Sequence, residues 1–346
     1  MSYEAPTSLY FAAIGIAAAV SAAVTPVVRQ LAMRFGWLDR PSSAVKTHKV
    51  ATPCLGGVGI WIGFAVSLLV IRWMTTFPSG TLRSLRAVLF GSLVVFILGV
   101  IDDLDKPVGL HFRTKFAGQL AAAGLLVYFG IRIAFVAPDY VAVGLTLFWV
   151  VGITNAFNII DIMDGLSATQ GIMAAAGFLL ISLPSEQIYV NFASASLLGA
   201  ALGYLPWNFS SQSKIFMGDS GSMTLGFVLS AVALGIDYSQ VNPLGVYAPL
   251  FILMIPMYDT FYVMAMRMRR GLSPFRGSKD HFALRLERLG FSRDQIVILA
   301  SLAAGLLSVC AFIVTRVSWV WSFWIYAVLL AEIALLTRAI SRIEME

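Results

Sequence analysis

The chain has 346 residues, is 59% hydrophobic and only 12% charged, and sets 24 Lys+Arg against 18 Asp+Glu for a formal net charge of +6. Soluble domains carry roughly 25% charged residues, and disorder goes with low hydrophobicity and high charge, so both classes are excluded. A mean hydropathy of +0.84 points instead to an all-α integral membrane protein, and the two cysteines, Cys54 and Cys310, are too far apart in sequence and too apolar in setting for a disulfide framework or a zinc site.

A membrane helix needs about 20 mainly apolar residues. On that rule eleven transmembrane helices are predicted, near residues 8–34, 54–74, 85–101, 114–131, 140–158, 165–183, 188–205, 218–236, 245–266, 294–315 and 318–337. They use up most of the chain, which reads as a single polytopic membrane domain over residues 1–346 with its chemistry in the connecting loops. The first span is too long for the core of a cleaved signal, and no Lys or Arg precedes it, so it reads as a retained helix. No solenoid-like repeat is present. Arg132–Val136 is β-rich and suited to local strand pairing.

The charges set the sidedness. The connections after the first, third, fifth, seventh and ninth spans, with the C-terminal tail, carry 19 of the 24 Lys and Arg. The opposite side holds only Arg72, Arg83, Arg86, Arg132 and Arg316. By the positive-inside rule the N-terminus lies outside and the C-terminus is cytoplasmic. Because the positive charge is spread over loops and not gathered on a soluble domain, nucleic acid is excluded as a partner.

Acids at membrane depth tend to mark function, and here they gather at the cytoplasmic ends of the spans. After the third span comes Gly99-Val-Ile-Asp102-Asp103-Leu-Asp105-Lys106, followed by His111, Arg113 and Lys115. After the fifth comes Asn155-Ala-Phe-Asn158-Ile-Ile-Asp161-Ile-Met-Asp164-Gly165, and Asn208 and Lys214-Ile-Phe216-Met-Gly218-Asp219-Ser-Gly221 lead into the eighth. Carboxylate and amide oxygens suit Mg²⁺, which takes one or two protein carboxylates together with substrate phosphates. Nearby Lys and Arg neutralise phosphate oxygens, and a spare carboxylate serves as base or nucleophile. The combination suggests phosphoryl transfer. A single Asp at a helix end is more often a cap than a ligand; it is the accumulation on one face that favours chemistry. A transporter or flippase is the rival reading, although its polar sites would sit near the midplane on broken helices.

The segments GVIDD with a following Lys115, NAFNIIDIMDGL and FMGDSGS resemble the three signature segments of the polyprenyl-phosphate N-acetylhexosamine-1-phosphate transferases. The resemblance runs from His48-Lys-Val-Ala-Thr-Pro53 and Gly56-Gly57 to the basic loop near residue 285. It implies transfer of an N-acetylhexosamine 1-phosphate, GlcNAc-1-phosphate above all, from a UDP-sugar to undecaprenyl phosphate with release of UMP, at the cytoplasmic face of a bacterial cytoplasmic membrane. The alternative within the family is the phospho-MurNAc-pentapeptide transferase of peptidoglycan synthesis. The implied cofactor is Mg²⁺, with Mn²⁺ as substitute, and a homodimer is a further expectation. By similarity Asp219 and Asn158 hold the metal. Asp102 and Asp103 are the catalytic carboxylates facing the lipid phosphate, with Asp102 favoured as the group that deprotonates it. A covalent route through a carboxylate stays open. Phe216 matches a ring that stacks on uracil, Asn208 and Asp164 match polar positions around the nucleoside, Lys115 matches a basic residue at the phosphate site, and Asn155 and Asp161 complete the substrate-binding set.

The last basic loop departs from the family pattern. Many bacterial relatives carry several histidines before Arg-Leu, whereas this chain reads Lys279-Asp280-His281-Phe-Ala-Leu-Arg285-Leu. Arg276, Lys279 and Arg285 are expected to clamp anions and His281 to touch the sugar. His48, Lys49 and His111 are explained by topology or headgroup contact. Asp259, within a span, needs a partner and reads as a supporting residue near the site. Glu332 has no assigned role.

Overall fold

The computed structural model describes residues 6–41, 50–106, 108–185, 187–273, 278–343 and 345. In chain order the helices are α1 (Thr7–Phe35), α2 (Gly56–Met74), α3 (Ser79–Leu104), α4 (Phe112–Tyr128), α5 (Asp139–Ile159), α6 (Leu166–Ser182), α7 (Ile188–Phe209), α8 (Gly218–Ala233), α9 (Ala248–Ile252), α10 (Met254–Arg269), α11 (Phe282–Arg288), α12 (Arg293–Val314) and α13 (Trp319–Ile340). The protein is a helical membrane protein, and a helix occupies each of the eleven predicted segments. Among the described residues seven helices (α1, α2, α3, α5, α7, α12 and α13) are long and apolar enough to cross a membrane. Helices α4, α6 and α8 have only 16 or 17 residues.

The predicted span at 245–266 is not straight. It breaks between α9 and α10 with a bend of 72°. Pro256, inside α10, has no N–H to give and its ring crowds the carbonyl four residues back, that of Ile252, the last residue of α9. The β-rich stretch at Arg132–Val136 forms no strand. The one short antiparallel ladder, among the described residues, pairs β1 (Leu38–Asp39) with β2 (Thr52–Pro53), because Gly36, left-handed at φ 74°, turns the chain off α1.

Close packing follows from small residues. Tyr10, Ala13, Ala17, Ser21, Thr25, Val28 and Ala32 form the single buried stripe of α1. Against it lie Gly59 and Gly63 of α2 and Gly199 and Gly203 of α7, two small-xxx-small pairs whose backbones press on the α1 backbone. A side chain at Gly199 would collide with the Ile14 carbonyl, and one at Gly203 with that of Ala18. In lipid, where apolar attraction between helices is weak, such close contact and buried hydroxyl bonds hold helices together. Ser67 supplies one, donating to the Ala13 carbonyl at 2.8 Å beside Ser196 at 3.1 Å.

Helix α8 sits at the centre, with all but Asp219 of its residues from Gly218 to Ala233 buried. It packs against α2, α3, α5, α6 and α7. Helix α13 lies at the other extreme, exposing Trp319, Trp321 and Trp324 near its N-terminal end, as interfacial aromatics do.

Candidate active site

Acids at a helix C-terminus meet the negative end of its dipole, yet α3 ends in Asp102-Asp103. The fold resolves this by pointing Asp103 at the N-terminus of α8 and giving Asp102 the Leu110 N–H and the Lys115 ammonium. Asp103 Oδ1 accepts the Asp219 N–H and Oδ2 accepts the Ser220 N–H, each at 3.0 Å. Gly218, at φ +72°, opens this approach, because a Cβ there would collide with the Asp103 carboxylate. Lys106 Nζ closes the arrangement, 2.7 Å from Asp103 Oδ1 and 3.8 Å from Asp219 Oδ1. Burial alone would lower the Lys106 pKa, but the attraction of Asp103 and Asp219 outweighs it and holds the ammonium above the usual lysine value.

Lys115, one turn into α4, completes the cluster. Its Nζ is 2.8 Å from Asp102 Oδ1 and 2.7 Å from Asp219 Oδ2, and the Leu110 N–H donates to the same Asp102 oxygen at 2.7 Å. Carboxylate oxygens of Asp102, Asp103 and Asp219 lie within 4.8 Å of one another. An ammonium bridging Asp102 and Asp219 stands where a cation is electrostatically favoured, so the Asp219 side of the cluster fits a divalent ion.

Asp219 opens onto a cleft of about 570 Å³. Its walls bring together Asn158, Asp161, Asp164, Phe216 and Asp219, from two of the three signature segments, with Asn208 from the end of α7. Asn158 spends its amide nitrogen on Ser222 Oγ at 3.0 Å, so the side of the amide left to the cleft is its oxygen. Asn208 is a bracket: its Oδ1 accepts the Gly165 N–H at 2.5 Å and its Nδ2 donates to the Ile215 carbonyl at 3.1 Å. That ties the Asp161–Gly165 turn to the Phe216 segment. Asp164 pairs with Lys214 at 2.6 Å. Asp161 accepts no hydrogen bond among the described residues, and burial together with the nearby Asp219 charge pushes its carboxyl up to about 8.

Asp102, Asp103 and Lys115 do not line this cleft. They lie behind Asp219, toward the face where α4 exposes Phe112 and Phe116.

Three of the expected site residues are placed away from the cleft lining. Asn155 does not face the cleft: its Nδ2 donates to Gln119 Oε1 at 2.7 Å and to the Val151 carbonyl at 2.8 Å, joining α5 to α4. Arg285 is no free anion clamp. Its side chain is fully buried, pairs with Asp280 at 2.9 Å, and donates to the carbonyls of Ile340 and Ile343 at the end of α13. His281 is 5% exposed and outside the cleft lining, with Nδ1 2.6 Å from Asp259 Oδ2, while Asp259 Oδ1 accepts the Phe282 N–H at 3.0 Å. Asp259 thus holds the first turn of α11 as well as His281. Lys279 is exposed and also outside the cleft, and Arg276 lies outside the described residues.

The sequence reading missed Lys106, Arg29 and Arg293. Lys106 was signalled by its spacing of three from Asp103. Arg29 lines the cleft and holds the 210–214 loop by donating to the Gln212 and Lys214 carbonyls at 3.1 and 3.3 Å. Arg293 lines the cleft from the first turn of α12, its Nε 2.8 Å from Glu287. Nothing in the sequence marks either arginine as a neighbour of Asp219.

A bundle of apolar helices with a carboxylate–lysine cluster beside a polar cleft defines a polytopic membrane protein. Comparison with known proteins is more specific. Residues 85–237 match the model of glycosyl transferase family 4. The chain is 30% identical over 307 residues to the probable undecaprenyl-phosphate N-acetylglucosaminyl 1-phosphate transferase of Bacillus subtilis, covering 86% of this chain and 82% of that one. It is 33% identical over 330 residues to the decaprenyl-phosphate N-acetylglucosaminephosphotransferase of Mycolicibacterium smegmatis, covering 86% and 80%. It is 28% identical over 291 residues to the undecaprenyl-phosphate alpha-N-acetylglucosaminyl 1-phosphate transferase of Escherichia coli, covering 81% and 77%. The chain belongs to the polyprenyl-phosphate N-acetylhexosamine-1-phosphate transferase family.

Proposed function

We propose that this protein transfers GlcNAc 1-phosphate from UDP-GlcNAc to undecaprenyl phosphate, releasing UMP, with Mg²⁺ as cofactor. The observation that carries the reading is the position of Asp219: it lines the donor-sized cleft on one side and is bridged by Lys115 to Asp102 on the other. Two substrates can therefore approach one carboxylate from opposite sides. The nucleotide lies in the cleft, with Phe216 against the uracil ring and the Asp164–Lys214 pair and Asn208 shaping its polar wall. The lipid phosphate arrives from the α4 side, where Lys115 neutralises it and exposed Phe112 and Phe116 face the acyl region.

Asp102 takes the proton from the lipid phosphate. A phosphate oxygen then forms a bond to the β-phosphorus of the donor, the bridging oxygen leaves with UMP, and the diphosphate-linked sugar remains on the lipid. Asp219 and Asn158 would hold Mg²⁺, which when bound supplies charge neutralisation at the diphosphate. The charge distribution supports eleven crossings with the N-terminus outside and the site at the cytoplasmic face of a bacterial cytoplasmic membrane.

The test is to incubate purified protein with undecaprenyl phosphate, Mg²⁺ and a panel of UDP-amino sugars and to measure UMP. UMP release that needs the lipid and is abolished by EDTA is expected. No release with any donor, together with substrate movement across vesicles, sinks the reading.

A further inference from the structure

Asp103 differs from its neighbour Asp102 in what surrounds it. Its side chain is 0% exposed. One oxygen accepts from the Asp219 N–H and the Lys106 ammonium, the other from the Ser220 N–H. A base or nucleophile needs an oxygen open to the reacting phosphate, and Asp103 is absent from the cleft wall. The residue at the usual capping position of α8 is Met217, which makes no side-chain cap bond. The free amides of the first turn therefore depend on a carboxylate reaching in from α3.

That arrangement has a consequence for Asp219. An acid in the first turn of a helix readily folds back to accept bonds from the free N–H groups of that turn. Here Asp103 already fills two of them, those of Asp219 and Ser220, and Lys106 balances the second negative charge at the same helix end. Asp219 is left with its oxygens turned toward Lys115 and the cleft. Gly57 of α2 and Gly99 of α3 pack against Ser220 and Gly221 so closely that a side chain at either would collide with the α8 backbone, which confines this helix end further.

We propose that Asp103 is a positioning residue: it caps α8 from α3 and thereby keeps the Asp219 carboxylate free for a divalent cation. The proposal rests on the transferase reading for its biological purpose, but its central measurement does not. Mn²⁺ binding to the detergent-solubilised protein, followed by electron paramagnetic resonance, needs no substrate. Asp103→Asn preserves the shape but sets an NH2 group against one backbone N–H. It is expected to weaken Mn²⁺ binding by about ten-fold or more, as loss of an outer partner of a metal ligand does. Saturating Mg²⁺ should then restore kcat to within a few-fold of wild type. The KM for the lipid and the acid limb of the pH profile should be unchanged.

Gly218→Ala, which alters no titratable group, pushes the same carboxylate off the amides and should weaken Mn²⁺ binding in the same direction. Wild-type Mn²⁺ affinity in Asp103→Asn overturns the proposal. So does a kcat that stays at least 100-fold down at saturating Mg²⁺ with the acid limb lost, since that marks a base. If wild-type protein releases no UMP from any donor, the transferase reading fails while the Mn²⁺ affinities still decide the role of Asp103.

Discussion

Lys115 and Asp219, on α4 and α8, meet at 2.7 Å, and the same ammonium reaches Asp102 at 2.8 Å. The lysine keeps two acids from repelling one another in a half-buried site, and it stands where a substrate phosphate would need a positive charge. Lys115→Met is therefore expected to lower kcat by about 100-fold or more, the scale seen when one electrostatic contact to a transition state is removed. Lys115→Arg should not restore it, because a planar fork cannot take the place of a compact point charge between two carboxylates. Steady-state UMP release decides this, and near-normal kcat in either variant would exclude Lys115 from the phosphate site.

Asp219→Asn removes the one carboxylate of the cluster that lines the cleft. Turnover should be lost while the protein remains folded, since Asp103 still caps α8 through backbone amides. Gel filtration and an activity assay read both. Full activity in this variant removes the metal assignment.

Phe216 is half-buried in the cleft wall, held by its own N–H, which donates to the Pro53 carbonyl at 2.8 Å. Stacking of a base on an aromatic ring contributes about 1–3 kcal/mol, so Phe216→Ala should raise the KM for UDP-GlcNAc about ten-fold and leave the KM for undecaprenyl phosphate unchanged. Equal changes in both would indicate a distorted cleft and not a lost stack.

The apolar runs made the helices legible, because a span must satisfy its backbone internally and so reads as a long hydrophobic stretch. The residues of the cleft were legible for a different reason: several acids and amides gather at the ends of apolar runs, where each must find a partner or a ligand. What the sequence hid were pairings between distant segments. Nothing local shows that Asp103 caps α8, that Asn155 turns inward to Gln119, or that Arg29 holds the loop before Phe216. The break at Leu253 was signalled by Pro256, but an unbroken apolar pattern masks it.

Asp161 gives a pH test. Its carboxyl is pushed up to about 8, so between its ordinary value and that point the folded protein keeps a proton the unfolded chain has lost. The native state then binds more protons, and stability falls as pH rises through this window. Asp161→Asn has no such penalty. In substrate-free protein its Tm should rise relative to wild type as pH moves from 5 to 9. Parallel Tm curves for the two proteins would mean that Asp161 ionises normally.

Arg285 separates a structural from a binding role. Its guanidinium is buried against Asp280 and the carbonyls of Ile340, the last residue of α13, and Ile343 just beyond it, with the Tyr262 ring 5.4 Å away. The hydrophobic cluster around it joins Phe282, Ala283 and Leu284 of α11 to Ile160 and Met163, which flank the Asp161 turn of the cleft. Arg285→Met leaves Asp280 with one fewer cation in a buried setting, a change that destabilises by about 3–5 kcal/mol when a buried pair is broken. The Tm should fall clearly. At temperatures well below the transition the KM for UDP-GlcNAc should stay within about two-fold of wild type, since the arginine is not among the residues that line the cleft. A large rise in donor KM with unchanged Tm would return Arg285 to the role of anion clamp.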